Sequence, residues 1–117
     1  MTPSRADHDR LPLARCDAGD TAWRELHRIA SEPYRRSGRF GWHFARGKLD
    51  RDPVFRALLE RGDIPARARV LDIGCGQGLL ASLFCACDEL ARRGTWPAQW
   101  ASPPTGVRYT GIELMPV

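Results

Sequence analysis

The sequence predicts an α/β fold in which N-terminal helices precede one β-α-β unit with an incomplete sheet, and three observations carry that prediction. Val70, Leu71 and Ile73 form a short apolar run, as expected of a parallel strand covered on both faces. The run leads straight into Gly74-Cys-Gly-Gln-Gly78, a loop whose backbone is free to take positive φ and to come close to a ligand. From Leu79 an apolar stripe at helical spacing begins, and a second apolar segment further on ends in Glu113. The expected organisation is a flexible arm over residues 1–19, a helical cap over 20–62, and the start of an α/β domain over 63–117, truncated after its second strand.

Taken in order, residues 1–19 mix Pro, Asp and Arg without sustained periodicity and read as a loose arm. Asp20 or Thr21 then caps a helix to about Ser31, with Ala22, Trp23, Leu26, Ile29 and Ala30 on its apolar side and Pro33 interrupting it. His27 is expected at the edge of that side, without a second metal ligand at helical spacing. The stretch Tyr34 to Lys48 interleaves Tyr34, Phe40, Trp42, His43 and Phe44 with five cations, and its glycines at 38, 41 and 47 predict a broken or flexible helix. Two roles fit this stretch about equally: a lid over a site, or aromatic anchors with arginines extending outward.

Asp52-Pro53 is a helix start, an N-cap followed by proline at the first helical position. Val54, Phe55, Leu58 and Leu59 form its packing face, Arg56 and Glu60 pair on the other, and Gly62 closes it. The helix after the glycine loop spans roughly Leu79 to Arg93, stops at Gly94, and pairs Asp88 with Arg92 and Glu89 with Arg93. Residues 95–106 hold three prolines and two tryptophans and predict an irregular connection, with Trp96 and Trp100 either sealing the sheet edge, the preferred reading, or reaching a partner. Residues 107–114 read as the second strand.

Composition narrows the classes. At 117 residues there is room for one small domain. The net charge of +4 and pI of about 9.2 would suit nucleic acid, but the 18 basic residues are spread without a dense block, so that partner is a minority expectation. Lys48 is the only lysine. The four cysteines, Cys16, Cys75, Cys85 and Cys87, lack zinc-site spacing, and no metal is expected. Neither a signal peptide nor a membrane-length apolar run is present, which predicts a soluble, cytoplasmic protein with no membrane partner.

The segment from Arg69 to Leu80, an apolar strand ending in Asp72, one residue, then Gly74, Gly76 and Gly78, resembles motif I of the class I S-adenosylmethionine-dependent methyltransferases. The dinucleotide-binding turn needs a glycine at position 79, where this chain has Leu79. Tyr109-Thr-Gly-Ile-Glu113 is similar to the acid-ended second strand of the same family, although the Trp/Pro connection makes the interval before it longer than in a compact unit. The resemblance covers about residues 64–115. It implies the N-terminal part of a Rossmann-like methyltransferase fold with S-adenosyl-L-methionine as cofactor. The implied contacts are Asp72, Gly74, Cys75, Gly76 and Gly78 near the methionyl end, and Glu113 and Leu114 near the ribose. No catalytic residue is assigned.

A complete seven-stranded methyltransferase sheet does not fit in this length, so the expectation is a fragment, a truncated gene or a split subunit, doubtful as an enzyme alone. The methyl acceptor is open, with a small molecule as the default. Two further classes stay in play: a non-catalytic or split cofactor-binding module completed by a partner chain, and a nucleic-acid-binding protein using the Tyr34 to Lys48 stretch.

Overall fold

Proline, glycine and one aspartate cut the chain into its helices. In the computed structural model, which describes residues 5–114 and the side chains of 18–36, 38–39 and 41–114, helix α1 covers Arg5–Ser31 and stops where Pro33 follows. A 3-10 turn over Glu32–Ser37 leads through Gly38 into α2, Arg39–Arg51. Asp52 ends α2 and caps α3, Pro53–Arg61, its Oδ1 accepting the Val54 N–H at 3.1 Å. At Gly62 the chain turns in the left-handed region, φ 69°, where a Cβ would also lie 2.5 Å from that of Ala101. Strand β1 (Arg69–Ile73), helix α4 (Leu79–Arg93) and strand β2 (Arg108–Ile112) complete the order. The strands pair in parallel, Val70 opposite Tyr109 and Asp72 opposite Gly111.

Two expected boundaries change. The chain is helical from Arg5, not from Asp20 or Thr21, so of the expected arm only residues 1–4 are left, and they lie outside the described residues. Leu11, Ala14, Ala18, Ala22 and Leu26 recur every three or four positions, so the helical period runs on through a composition that reads as an arm. Pro12 removes one backbone donor from α1 without ending it. Likewise α2 is continuous through Gly41 and Gly47, and only Gly38 breaks the backbone. The side chain of Phe40, one of the expected anchors, lies outside the described set.

The core is helical. Ala22, Leu26 and Ala30 of α1 meet Leu83, Ala86, Cys87 and Leu90 of α4, joined by Leu49 of α2 and Leu59 of α3. Each fully buried leucine contributes about 1.5–3 kcal/mol relative to an exposed one. Cys87 is part of this packing, its thiol pushed up to about 12 by burial, while Cys85 on the same helix faces outward. His27, expected at an edge, is instead buried, its Nε2 3.0 Å from the Arg46 carbonyl and 3.1 Å from Asp50 Oδ1, and it ties α1 to α2. Arg56 reaches both Glu60 and Asp20, the latter at 3.0 Å, and so ties α3 to α1. Glu89 pairs with Arg93 as expected and also with Arg92, whereas Asp88 accepts the Gly106 N–H at 3.0 Å and anchors the start of β2.

The Trp/Pro connection packs on helices. Trp96 and Trp100 meet edge to face with ring centroids 5.4 Å apart, and both rest on the helical core. Trp96 Nε1 donates to the Ala101 carbonyl at 2.8 Å, Ala101 N–H donates to Glu60 of α3, and Trp100 lies beside the Arg56 guanidinium.

Helix α4 covers one face of the sheet, where Phe84 meets Tyr109 edge to face at 6.3 Å. The opposite face carries Leu71, Ile73 and Ile112, exposed by 59%, 76% and 43%. The expectation of a strand covered on both sides therefore holds on one side only. This asymmetry separates two substitutions that look equivalent in sequence. Leu26→Ala is expected to lower unfolding free energy by about 2–5 kcal/mol, and Ile73→Ala by no more than about 0.5 kcal/mol. Urea denaturation followed by circular dichroism checks both values.

Candidate functional site

The glycine loop grows out of the sheet. Gly74 N–H and Cys75 N–H both donate to the Ile112 carbonyl, at 2.7 and 3.2 Å, so the parallel ladder extends past the end of β1. Gly74, Gly76 and Gly78 then take φ of 74°, 56° and 79°, and nothing lies within 4 Å of a Cβ built on any of them. The loop thus has both the left-handed backbone that only glycine adopts at little cost and open space beside it. Gly78 is the N-cap of α4, so the helix meets the loop at its positive end.

One carboxylate braces the loop and a second ties together the strands beneath it. Glu113, directly after β2, accepts the Gly76 N–H through Oε2 at 2.8 Å. Asp72, at the end of β1, accepts the Tyr109 hydroxyl through Oδ2 at 2.7 Å. Burial, then the negative charge of Asp72, pushes the Tyr109 phenol well above its ordinary range. Cys75 tucks under the loop against Gly111, where a Cβ would lie 2.8 Å from the Cys75 sulfur and 3.0 Å from the Tyr109 oxygen.

On its other side the loop is capped by the N-terminal helices. Tyr34, in the 3-10 turn, is buried and its hydroxyl donates to the Gln77 carbonyl at 2.9 Å. Burial raises the pKa of this phenol too. Between cap and loop lies a cavity of about 250 Å³ with Phe44, Phe55, Leu79 and Leu80 as apolar wall and Asp72, Lys48 and the backbone of residues 74–77 as polar wall. Lys48 stands 3.6 Å from Asp52 Oδ2 and is the one cation on that wall. The volume falls just below the ~300–1,000 Å³ of complete small-molecule sites, so it suits part of a ligand.

Of the residues singled out in the sequence, Asp72, Gly74, Cys75 and Gly76 line this cavity. Gly78 sits at the start of the helix behind it, and Glu113 reaches the loop by its bond to Gly76 without lining the cavity. Leu114 is 91% exposed and away from it. Sequence reasoning missed Gln77, Tyr109 and Gly111 as parts of the site, and placed Tyr34 and Phe44 only within a general lid. Among the described residues no group of three or more His, Cys, Asp or Glu is arranged to hold a metal ion, and no helix is long and apolar enough to cross a membrane. No protein-family model, curated protein or solved structure matches the chain.

Two outcomes follow from this geometry. Gly111→Ala is expected to cost about 1–3 kcal/mol, and in a Cys75→Ala background clearly less, so a double-mutant cycle by urea denaturation gives a non-zero coupling. Tyr34 and Tyr109 are the chain's two tyrosines, and both pKa values are raised on folding. The folded state therefore holds these protons more tightly, and the stability they contribute is full below the unfolded value of ~10 and is lost as pH rises above it. In an alkaline titration, tyrosinate absorbance should lag behind that of free tyrosine and rise together with loss of near-ultraviolet circular dichroism.

Proposed function

We propose that this chain carries the first half of an S-adenosylmethionine site and takes part in methyl transfer to a small-molecule acceptor. The observation that carries the reading is the pairing of the Gly74–Gly78 loop, open on its outer side, with carboxylates at the ends of both adjacent strands. The residues suit the group. The cofactor bears no phosphate, and the loop has an acid at each strand end in place of a cationic cradle. A carboxylate after the second strand is able to accept both hydroxyls of a vicinal diol. The capped cavity suits the methionyl portion, with Lys48 on its wall for a carboxylate and the half-buried Phe55, Leu79 and Leu80 to keep water out.

The cofactor supplies an electrophilic methyl group when bound. Toward it, this chain's residues bind and orient: Asp72 orders the loop, the glycines admit the ligand, Glu113 is the ribose acceptor once it exchanges Gly76 N–H for the diol, and Tyr34 holds the cap down. Alignment and exclusion of water are the main demands of such a transfer, so no acid or base is assigned.

A second reading is a split module completed by a partner chain, and it is favoured by the exposed Leu71, Ile73 and Ile112 on a sheet face that a second layer would cover. Calorimetric titration with S-adenosylhomocysteine tests the first reading. Binding is expected, weakened at least about tenfold by Glu113→Ala, in line with loss of hydrogen bonds to a charged group. Absence of binding by the chain alone, followed by binding once a complementary chain co-purifies, would favour the second.

A further inference from the structure

A second recess lies in the cap, on the side of α2 away from the glycine loop. It measures about 370 Å³ and sits among α1, the 3-10 turn and α2. Four guanidiniums line it, those of Arg24, Arg28, Arg35 and Arg46. They arrive from three separate elements, and helix α2 shares its length between the two cavities, giving Phe44 and Lys48 to one and Trp42 and Arg46 to the other.

These cations differ in how far their charge is answered. Arg28 is committed to Glu25, and Arg35 stands 3.6 Å from Glu32 in an exposed pair of little strength. Arg24 and Arg46 have no ion-pair partner among the described residues. Arg46 lies over the Trp42 ring at 4.7 Å and Arg35 at 5.2 Å, so the indole holds both guanidiniums beside the recess. Planar, pre-organised forks of this kind match the oxygens of a phosphate.

We propose that this recess binds a compact phosphate-bearing anion, held by Arg24, Arg35 and Arg46 beside Trp42. Its charge pattern favours a small ligand over a nucleic-acid strand. Glu32 and Asp50 share the lining and would repel a continuous phosphate track, and the Trp42 ring on which a base would stack is already engaged by two guanidiniums. The proposal does not depend on the methyl-transfer reading.

Calorimetric titration of the full chain with sodium pyrophosphate is the test, with a short oligothymidylate as the comparison ligand. Saturable one-to-one binding of pyrophosphate is expected, weakened about tenfold or more in both Arg46→Gln and Arg24→Gln, and unchanged in Arg92→Gln, an exposed arginine of α4 outside the recess. Far-ultraviolet circular dichroism checks that the variants stay folded. The proposal is overturned by a lack of saturation in the unsubstituted chain, by equal weakening in Arg92→Gln, or by oligothymidylate binding more tightly than pyrophosphate with loss in the same two variants.

Discussion

Burial of α4 against α1 is the constraint from which the other features of this chain follow. A two-stranded parallel sheet is marginal in water, and here one of its faces is bare, so the sheet does not hold the molecule together. What does is the interlock of Leu26 and two alanines of α1 with Leu83, Ala86, Cys87 and Leu90. Because Gly78 is the N-cap of α4, fixing that helix fixes one end of the glycine loop. Because α1 runs directly into the 3-10 turn, fixing α1 delivers Tyr34 to the other side of the same loop.

Polar contacts then refine a position that packing has already set. The neutral Tyr34 hydrogen bond contributes on the order of 1 kcal/mol net and those accepted by the Glu113 and Asp72 carboxylates about 1.5–3 kcal/mol each, together less than the many leucines of the core. Their value lies in direction. Glu113 accepts an N–H from the middle of the loop, the Tyr34 hydroxyl donates a hydrogen bond to the Gln77 carbonyl near its end, and the Gly74 and Cys75 amides are bound by Ile112. The loop is thereby held at its start, middle and end while its outer side stays open. An ordered backbone with open space beside it is what a ligand-facing turn requires, since binding then orders little that was free.

Local chemistry was legible in the sequence, and contacts between distant segments were not. The Asp52-Pro53 start, the Gly62 and Gly94 stops and the span of α4 were readable because each depends on residues a few positions apart. The β-α-β order was readable for the same reason, since apolar run, glycine loop and amphipathic helix follow one another directly. Tyr34 meeting Gln77 and Tyr109 meeting Asp72 depend on how α1 and β2 come to lie beside the loop, which no local pattern encodes. His27 shows the same limit: on a helical wheel it borders the apolar side, and only the arrival of α2 buries it and supplies its partners. Gly111 looks like an ordinary strand glycine until Cys75 folds beneath it. The start of α1 was missed for a different reason: its charged and proline-containing composition outweighed an apolar period that in fact continues.

The two sides of the loop also differ in what they still lack. Toward the cap, Phe55, Leu79 and Leu80 are half-buried and pack within the chain itself. Toward the sheet, Leu71, Ile73 and Ile112 leave apolar surface in water at a cost of roughly 25 cal/mol per Å². Together they form one apolar strip across the two strands, with Ile73 directly opposite Ile112. The cap therefore sets the geometry of the glycine loop independently of the open face. Asp72 and Glu113 belong to this self-contained part as well, since Asp72 lines the capped cavity and is held by the Tyr109 hydroxyl, and Glu113 is held by the Gly76 amide.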